Sequence, residues 1–174
     1  MKTRIAFAGF RHGHINSLYA QVKNRDDAEI VAGCEEDAAT RETLRAGTDV
    51  QITHEDYEQM LDTVECDAIA VGDYYGKRGE IVIKALKREK HVICDKPLCT
   101  HLDELDEIEG LAKEKKLKVS MMLDMRDQSN FGRMRQLVLA GEIGEPHAIS
   151  FGGQHPLTYG TRPGWYFEKG KHGG

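Results

Sequence analysis

Five short apolar runs, at residues 4–8, 29–34, 67–71, 91–94 and 118–123, recur with intervals long enough for a helix between them. The runs are nearly continuous and do not alternate apolar with polar, which is how strands read when both faces of a parallel sheet are covered. Intervals of this length suit βαβ crossovers, so the expected core is an α/β, doubly wound parallel sheet. A weaker strand is expected at 50–53. The spacing predicts a helix over 101–116, with Leu102, Leu105, Ile108 and Leu111 on one face and Thr100 with Asp103 as a capping box. Its acids come first and its lysines last, which matches the helix dipole and describes a solvated face.

With 174 residues the chain suits one domain, or one domain and the start of another. A hydrophobic content of 40% beside 30% charge belongs to a soluble globular chain, and a net charge of -5 offers no basic patch to nucleic acid. The run 5–10 is too short for a signal-peptide core, and no segment is long enough to span a membrane. Cys34, Cys66, Cys94 and Cys99 form no Cys-x-x-Cys pair, which fits reduced thiols and a cytoplasmic location.

The sharpest chemical feature is Ile93-Cys94-Asp95-Lys96-Pro97-Leu98, where a lysine follows directly on an apolar run. At the carboxyl end of a parallel strand, beside the crevice where open α/β sheets bind ligands, Lys96 can polarise a substrate oxygen or exchange its proton. Asp95 can orient it, and Pro97 holds the backbone before it extended. The bland alternative is a solvated turn. The first run leads into Gly9-Phe10-Arg11-His12-Gly13-His14, where a dinucleotide-binding unit carries its glycine turn and points helix amides at a pyrophosphate. Only Gly9 keeps the Gly-x-Gly-x-x-Gly register. Arg11 can pair with phosphates, or its side chain can fill the space where backbone should approach them. Glu35 stands at the end of the second run, where an acid binds ribose hydroxyls, and Glu36 and Asp37 extend the negative charge. A 2'-phosphate meets repulsion there, so NAD is favoured over NADP, with Arg41 keeping NADP open. Those acids also suit a plain helix start. His12 and His14 fall at a loop-to-helix junction without Cys or carboxylate at ligand spacing, so no metal is expected.

Together, the glycine turn, Glu35, Asp95-Lys96-Pro97-Leu98, the Arg126 region and Gly141-Glu142-Ile143-Gly144 resemble the glucose-fructose oxidoreductase, inositol dehydrogenase and rhizopine-catabolism family (Gfo/Idh/MocA). The family's Glu-Lys-Pro-Leu becomes Asp-Lys-Pro-Leu here and keeps its carboxylate. The resemblance implies a Rossmann domain at 1–124, a connecting helix and link at 125–146, and the start of a truncated second α/β domain at 147–174. It implies Lys96 as the active-site lysine beside the nicotinamide and Arg126 as the family's arginine, with Asp127 in place of the usual aromatic. It also implies a sugar, cyclitol or related polyol as substrate and a homo-oligomer. Asp73 and Tyr74 stand where the family has Thr-Pro-Asn-His and are cofactor-adjacent by position. The family's substrate-side acid and histidine would begin about where Gly173-Gly174 end the chain, so a non-catalytic dinucleotide-binding or scaffold protein is the alternative. A helix is expected at 128–140 and a strand at 147–151, the latter with no partner. Beyond Gly152 the chain is expected either to pair across copies or to be open to protease, with Trp165, Tyr166 and Phe167 facing an absent domain.

Overall fold

A computed structural model describes residues 1–154 and 156–173; His155, Gly174 and the Asp127 side chain lie outside the described residues. The chain divides into two compact units, Met1–Met122 with Trp165–Gly174, and Leu123–Gly164.

The first unit is a parallel sheet of five strands: β1 (Thr3–Ala8), β2 (Ala28–Cys34), β3 (Ala68–Val71), β4 (His91–Cys94) and β5 (Val119–Met121). They run in the order β2-β1-β3-β4-β5. Helices α1 (His14–Lys23), α2 (Ala38–Gly47), α3 (Tyr57–Thr63), α4 (Tyr75–Lys87) and α5 (Leu102–Glu114) connect them. Successive strand residues point to opposite faces, so Ile5 and Phe7 pack with Ile15, Tyr19 and Leu44, while Ala6 and Ala8 pack with Met60, Val82 and Leu86. Both faces of the central strands β1, β3 and β4 are thus largely dry, and this is why their sequences are unbroken apolar runs. Phe7 is fully buried, with the Tyr19 ring edge-on at 5.0 Å. Its truncation to alanine is expected to cost about 3–5 kcal/mol.

Several expectations are corrected. Residues 50–53 form no strand. Thr53 and His54 both donate to the Gly33 carbonyl, at 2.8 and 3.1 Å, so the segment meets β2 through a single bridge, Cys34 to His54. Helix α5 is capped by His101 without a side-chain bond, and the Thr100 hydroxyl has no partner among the described residues, so no capping box forms there. Gly173 packs so closely on Thr100 that an added Cβ would stand 2.6 Å from its methyl, so Thr100 supports the tail and does not cap the helix.

In the second unit, a short 3-10 turn Asp124–Asp127 precedes α6 (Ser129–Leu139), within one residue of the expected helix. Residues 147–151 form no strand, and among the described residues the second unit holds no strand to pair their backbone. The sequence division at 124 and 146 grouped 165–174 with what precedes it. The structure groups that segment with the sheet, because Trp165 buries its side chain there.

Candidate functional site

The ends of β1, β2, β3 and β4 lie along one edge of the sheet, and the loops that leave them bring together Gly9, Glu35, Asp73 and Asp95-Lys96-Pro97. Parallel topology places every strand's carboxyl end on this edge, which is where such sheets bind ligands. Gly9 has φ +78° and faces Asp73 so closely that a Cβ would stand 2.5 Å from the Asp73 Cβ. The turn accepts no side chain at that point. The N–H groups of Gly13 and His14, at the start of α1, meet no acceptor among the described residues. They are free donors of the kind that hold phosphate.

Glu35 is buried, and its two oxygens are taken by the chain itself: Phe10 N–H donates at 2.7 Å, Asp37 N–H at 2.8 Å and Arg11 Nε at 3.3 Å. Burial pushes its carboxyl pKa up, and the two backbone donors and Arg11 oppose that. Arg11 is held between Glu35 and Asp73, 3.4 Å from the latter, with its guanidinium 5.0 Å from the Tyr74 ring centre. Arg11 is thus paired with two buried carboxylates. Asp73 is also buried, and burial raises its pKa against the pull of Arg11 and Lys77. Glu36 reaches outward to Lys77 and accepts from Tyr57 N–H. Arg41 is engaged as well, bonded to the Glu35 and Glu36 carbonyls and paired with Glu55 at 2.8 Å.

On the β4 side, Asp95 is buried and accepts from Lys96 N–H at 2.7 Å and from Arg78 Nη2 at 3.2 Å. His12 Nδ1 lies against the same carboxylate, and His14 Nδ1 lies 3.3 Å from it. Asp95 thus fixes the Lys96 backbone, and the expected side-chain pairing between the two is not what forms. The Lys96 side chain is half-buried and has no hydrogen bond or ion pair among the described residues, while the Lys96-Pro97 peptide is cis. His12 is nearly buried, and burial lowers its pKa although Asp95 pulls the other way. The carboxylate that sequence spacing hides from His12 and His14 is supplied by the fold from 83 and 81 residues away. Arg126 lies in the 3-10 turn of the second unit.

Sequence reasoning missed Arg78, Tyr75, Lys77 and the role of Trp165. Arg78 is fully buried and binds the carbonyls of Asp73, Lys96 and Pro97. Its signal was available: it stands three and four residues before Ile81 and Val82, on the core face of α4, where a charge needs a partner. Trp165, expected to face an absent domain, instead donates from Nε1 to the Arg11 carbonyl at 3.2 Å and stands edge-on to Tyr75 at 5.0 Å. Tyr166 stacks on it at 3.9 Å, and Gly76 N–H donates to the Lys171 carbonyl at 2.9 Å. The segment covers the strand-end crevice, which contradicts the expected open tail over these residues. Among the described residues no helix is long and apolar enough to cross a membrane.

The GFO_IDH_MocA family, an oxidoreductase family with an NAD-binding Rossmann fold, matches residues 3–123. The myo-inositol 2-dehydrogenase of Thermotoga maritima is 26% identical over 145 residues, which is 83% of this chain and 43% of that protein. The dTDP-3,4-didehydro-2,6-dideoxy-alpha-D-glucose 3-reductase of Saccharopolyspora spinosa is 30% identical over 119 residues, 68% of this chain and 36% of the relative. A crystal structure from Erwinia carotovora atroseptica, described at the level of an oxidoreductase, superposes with a TM-score of 0.79 at 26% identity over 99% of this chain and 52% of that one. The chain spans about two fifths of the length of the curated relatives it matches.

Proposed function

The chain belongs to the Gfo/Idh/MocA oxidoreductase family, whose Rossmann fold binds NAD, and on that premise we propose that it serves hydride exchange between NAD and a carbinol carbon of a sugar, cyclitol or related polyol. The observation that carries the reading is the meeting, on one sheet edge, of the Gly9 turn, the unpartnered α1 amides and the Lys96 amine. A dinucleotide would lie along this edge with its pyrophosphate at the amides of Gly13 and His14, and Gly9, which has no Cβ and takes positive φ freely, allows the close approach. When bound, NAD supplies the hydride acceptor. Lys96 polarises the substrate oxygen or exchanges its proton, while the buried Asp95 holds the lysine's backbone in place. Asp73, Tyr74 and Pro97 border that edge, and Arg126 is a further proposed contact by family position. The substrate class follows from what the relatives' names state for them, an inositol and a deoxysugar nucleotide.

NAD is favoured over NADP. Glu35, Glu36 and Asp37 crowd negative charge at the end of β2, and Arg41, the nearest candidate for a 2'-phosphate, already serves two carbonyls and Glu55. Four free cysteines support a cytoplasmic setting. Exposed Leu102, Leu105 and Met121 along α5 and β5 support a homo-oligomer, which light scattering checks. A second reading, a non-catalytic dinucleotide-binding or scaffold protein, draws on Arg11 occupying the second glycine place and being held there by two acids. Calorimetry and turnover together separate the two: NAD(H) binding, tighter than NADP(H), with polyol oxidation by the intact protein supports the first, and either no binding or binding without turnover supports the second. In the intact protein, Lys96→Ala should lower kcat/KM for polyol oxidation by about a hundredfold or more. Near-normal turnover would remove Lys96 from the chemistry.

A further inference from the structure

We propose that His12, His14 and Asp95 form a binding site for a divalent transition-metal ion of the zinc type. One ligand atom from each lies within 4.8 Å of the other two. The His14 Nδ1 is 3.3 Å from an Asp95 oxygen, and the two imidazole rings meet edge to face with centres 4.4 Å apart. Two imidazole nitrogens and a carboxylate oxygen are the donor set that Zn²⁺, Co²⁺ and Fe²⁺ accept, whereas Mg²⁺ and Ca²⁺ favour oxygen donors alone.

The surroundings are built for ligation. A metal-bound imidazole is oriented by a partner on its other nitrogen. The His12 Nε2 has one: the Tyr75 hydroxyl, 3.4 Å away, accepts its proton when Nδ1 turns to the metal. Asp95 is held by Arg78 on one oxygen and by the Lys96 N–H on the other, so its carboxylate cannot rotate away. His12 and Asp95 are buried, while the His14 side chain is about half exposed, so the cluster is open to solvent on the His14 side. Three protein ligands with an open side leave a position for water or a substrate oxygen.

The fold brings two imidazole nitrogens, from residues two apart in sequence, to one buried carboxylate, His14 Nδ1 facing one Asp95 oxygen and His12 Nδ1 the other. That convergence is the geometry a shared cation uses, with the ion replacing the imidazole protons between the three groups. The site stands independently of the hydride-transfer reading, since metal binding needs neither NAD nor a polyol.

The test is to strip the purified protein with a chelator and titrate it with Zn²⁺, Co²⁺ and Mg²⁺ alone. Calorimetry should show a single equivalent of Zn²⁺, Co²⁺ should give the intense visible bands of a four-coordinate site, and Mg²⁺ should give neither. His14→Ala, whose side chain carries no core packing, should keep its circular dichroism and bind Zn²⁺ roughly tenfold or more weakly. His101→Ala, away from the cluster, should bind as the unmutated protein does. No binding of Zn²⁺ or Co²⁺ would overturn the proposal, and so would a His14→Ala titration that matches the parent or a loss that His101→Ala shares.

Discussion

Removal of the Arg78 guanidinium should cost more stability than any other single charge deletion at the sheet edge. Arg78 is fully buried and donates from Nε to the Asp73 carbonyl at 2.7 Å, from Nη1 to the Lys96 and Pro97 carbonyls at 2.5 and 3.2 Å, and from Nη2 to Asp95 at 3.2 Å. It therefore ties the turn after β3 to the turn after β4. Arg78→Met keeps most of the stem's volume and removes every donor. Deleting one partner of a buried ion pair typically costs about 3–5 kcal/mol, because the other charge is left buried. Asp95 retains the Lys96 N–H and two imidazoles, which places the loss near the lower end, about 3 kcal/mol. For a chain of 174 residues that corresponds to a fall in Tm of roughly 6–12 °C. Urea denaturation and thermal melts followed by circular dichroism measure it. A loss below about 1 kcal/mol would show that these bonds are replaced by water at no net cost, and the reasoning from burial would fail.

Burial pushes the Cys34 and Cys94 thiols up to about 12, so only about one part in ten thousand is thiolate at pH 8. Iodoacetamide should label the partly exposed Cys99 first and those two only on unfolding; equal rates for Cys94 and Cys99 would contradict the packing. Glu35 has a folded pKa above its ordinary value, so its contribution to stability is present below the unfolded pKa and is lost as pH rises through the folded one. Glu35→Gln should flatten that decline in urea midpoints taken across the acid range, and a steeper decline would reverse the assignment. Trp165 is the single tryptophan and is buried, so its emission should be blue-shifted and poorly quenched by iodide. A spectrum like that of free tryptophan would mean that the tail does not pack on the sheet.

The sheet was legible because its strands are covered on both faces: 68–71 and 91–94 read as unbroken apolar runs, and the edges fell within a residue or two. Residues 147–151 misled because Ala148, Ile149 and Phe151 give local strand character, whereas a strand exists only through a partner, and the described residues of the second unit supply none. At the sheet edge, the positions of Gly9, directly after β1, and of Lys96, two residues after β4, were readable because each lies close behind an apolar run. The meeting of His12 and His14 with Asp95 and Arg78 was not, because it depends on β3 lying between β1 and β4, and strand order leaves no mark on sequence spacing. Glu35 was placed correctly at its strand end, yet its inward turn depends on Arg11, a residue whose two roles the sequence could not separate.

The first unit is discontinuous, closed by a segment that returns after the excursion Leu123–Gly164. Loop closure of that kind follows a logarithm: doubling the length of a flexible excursion adds only about 0.6 kcal/mol. The return of Trp165 to the Arg11 carbonyl therefore constrains the ends of the excursion far more than its length. Insertions within it should be tolerated thermodynamically, and new binding elements can be grafted there while the crevice keeps its cover.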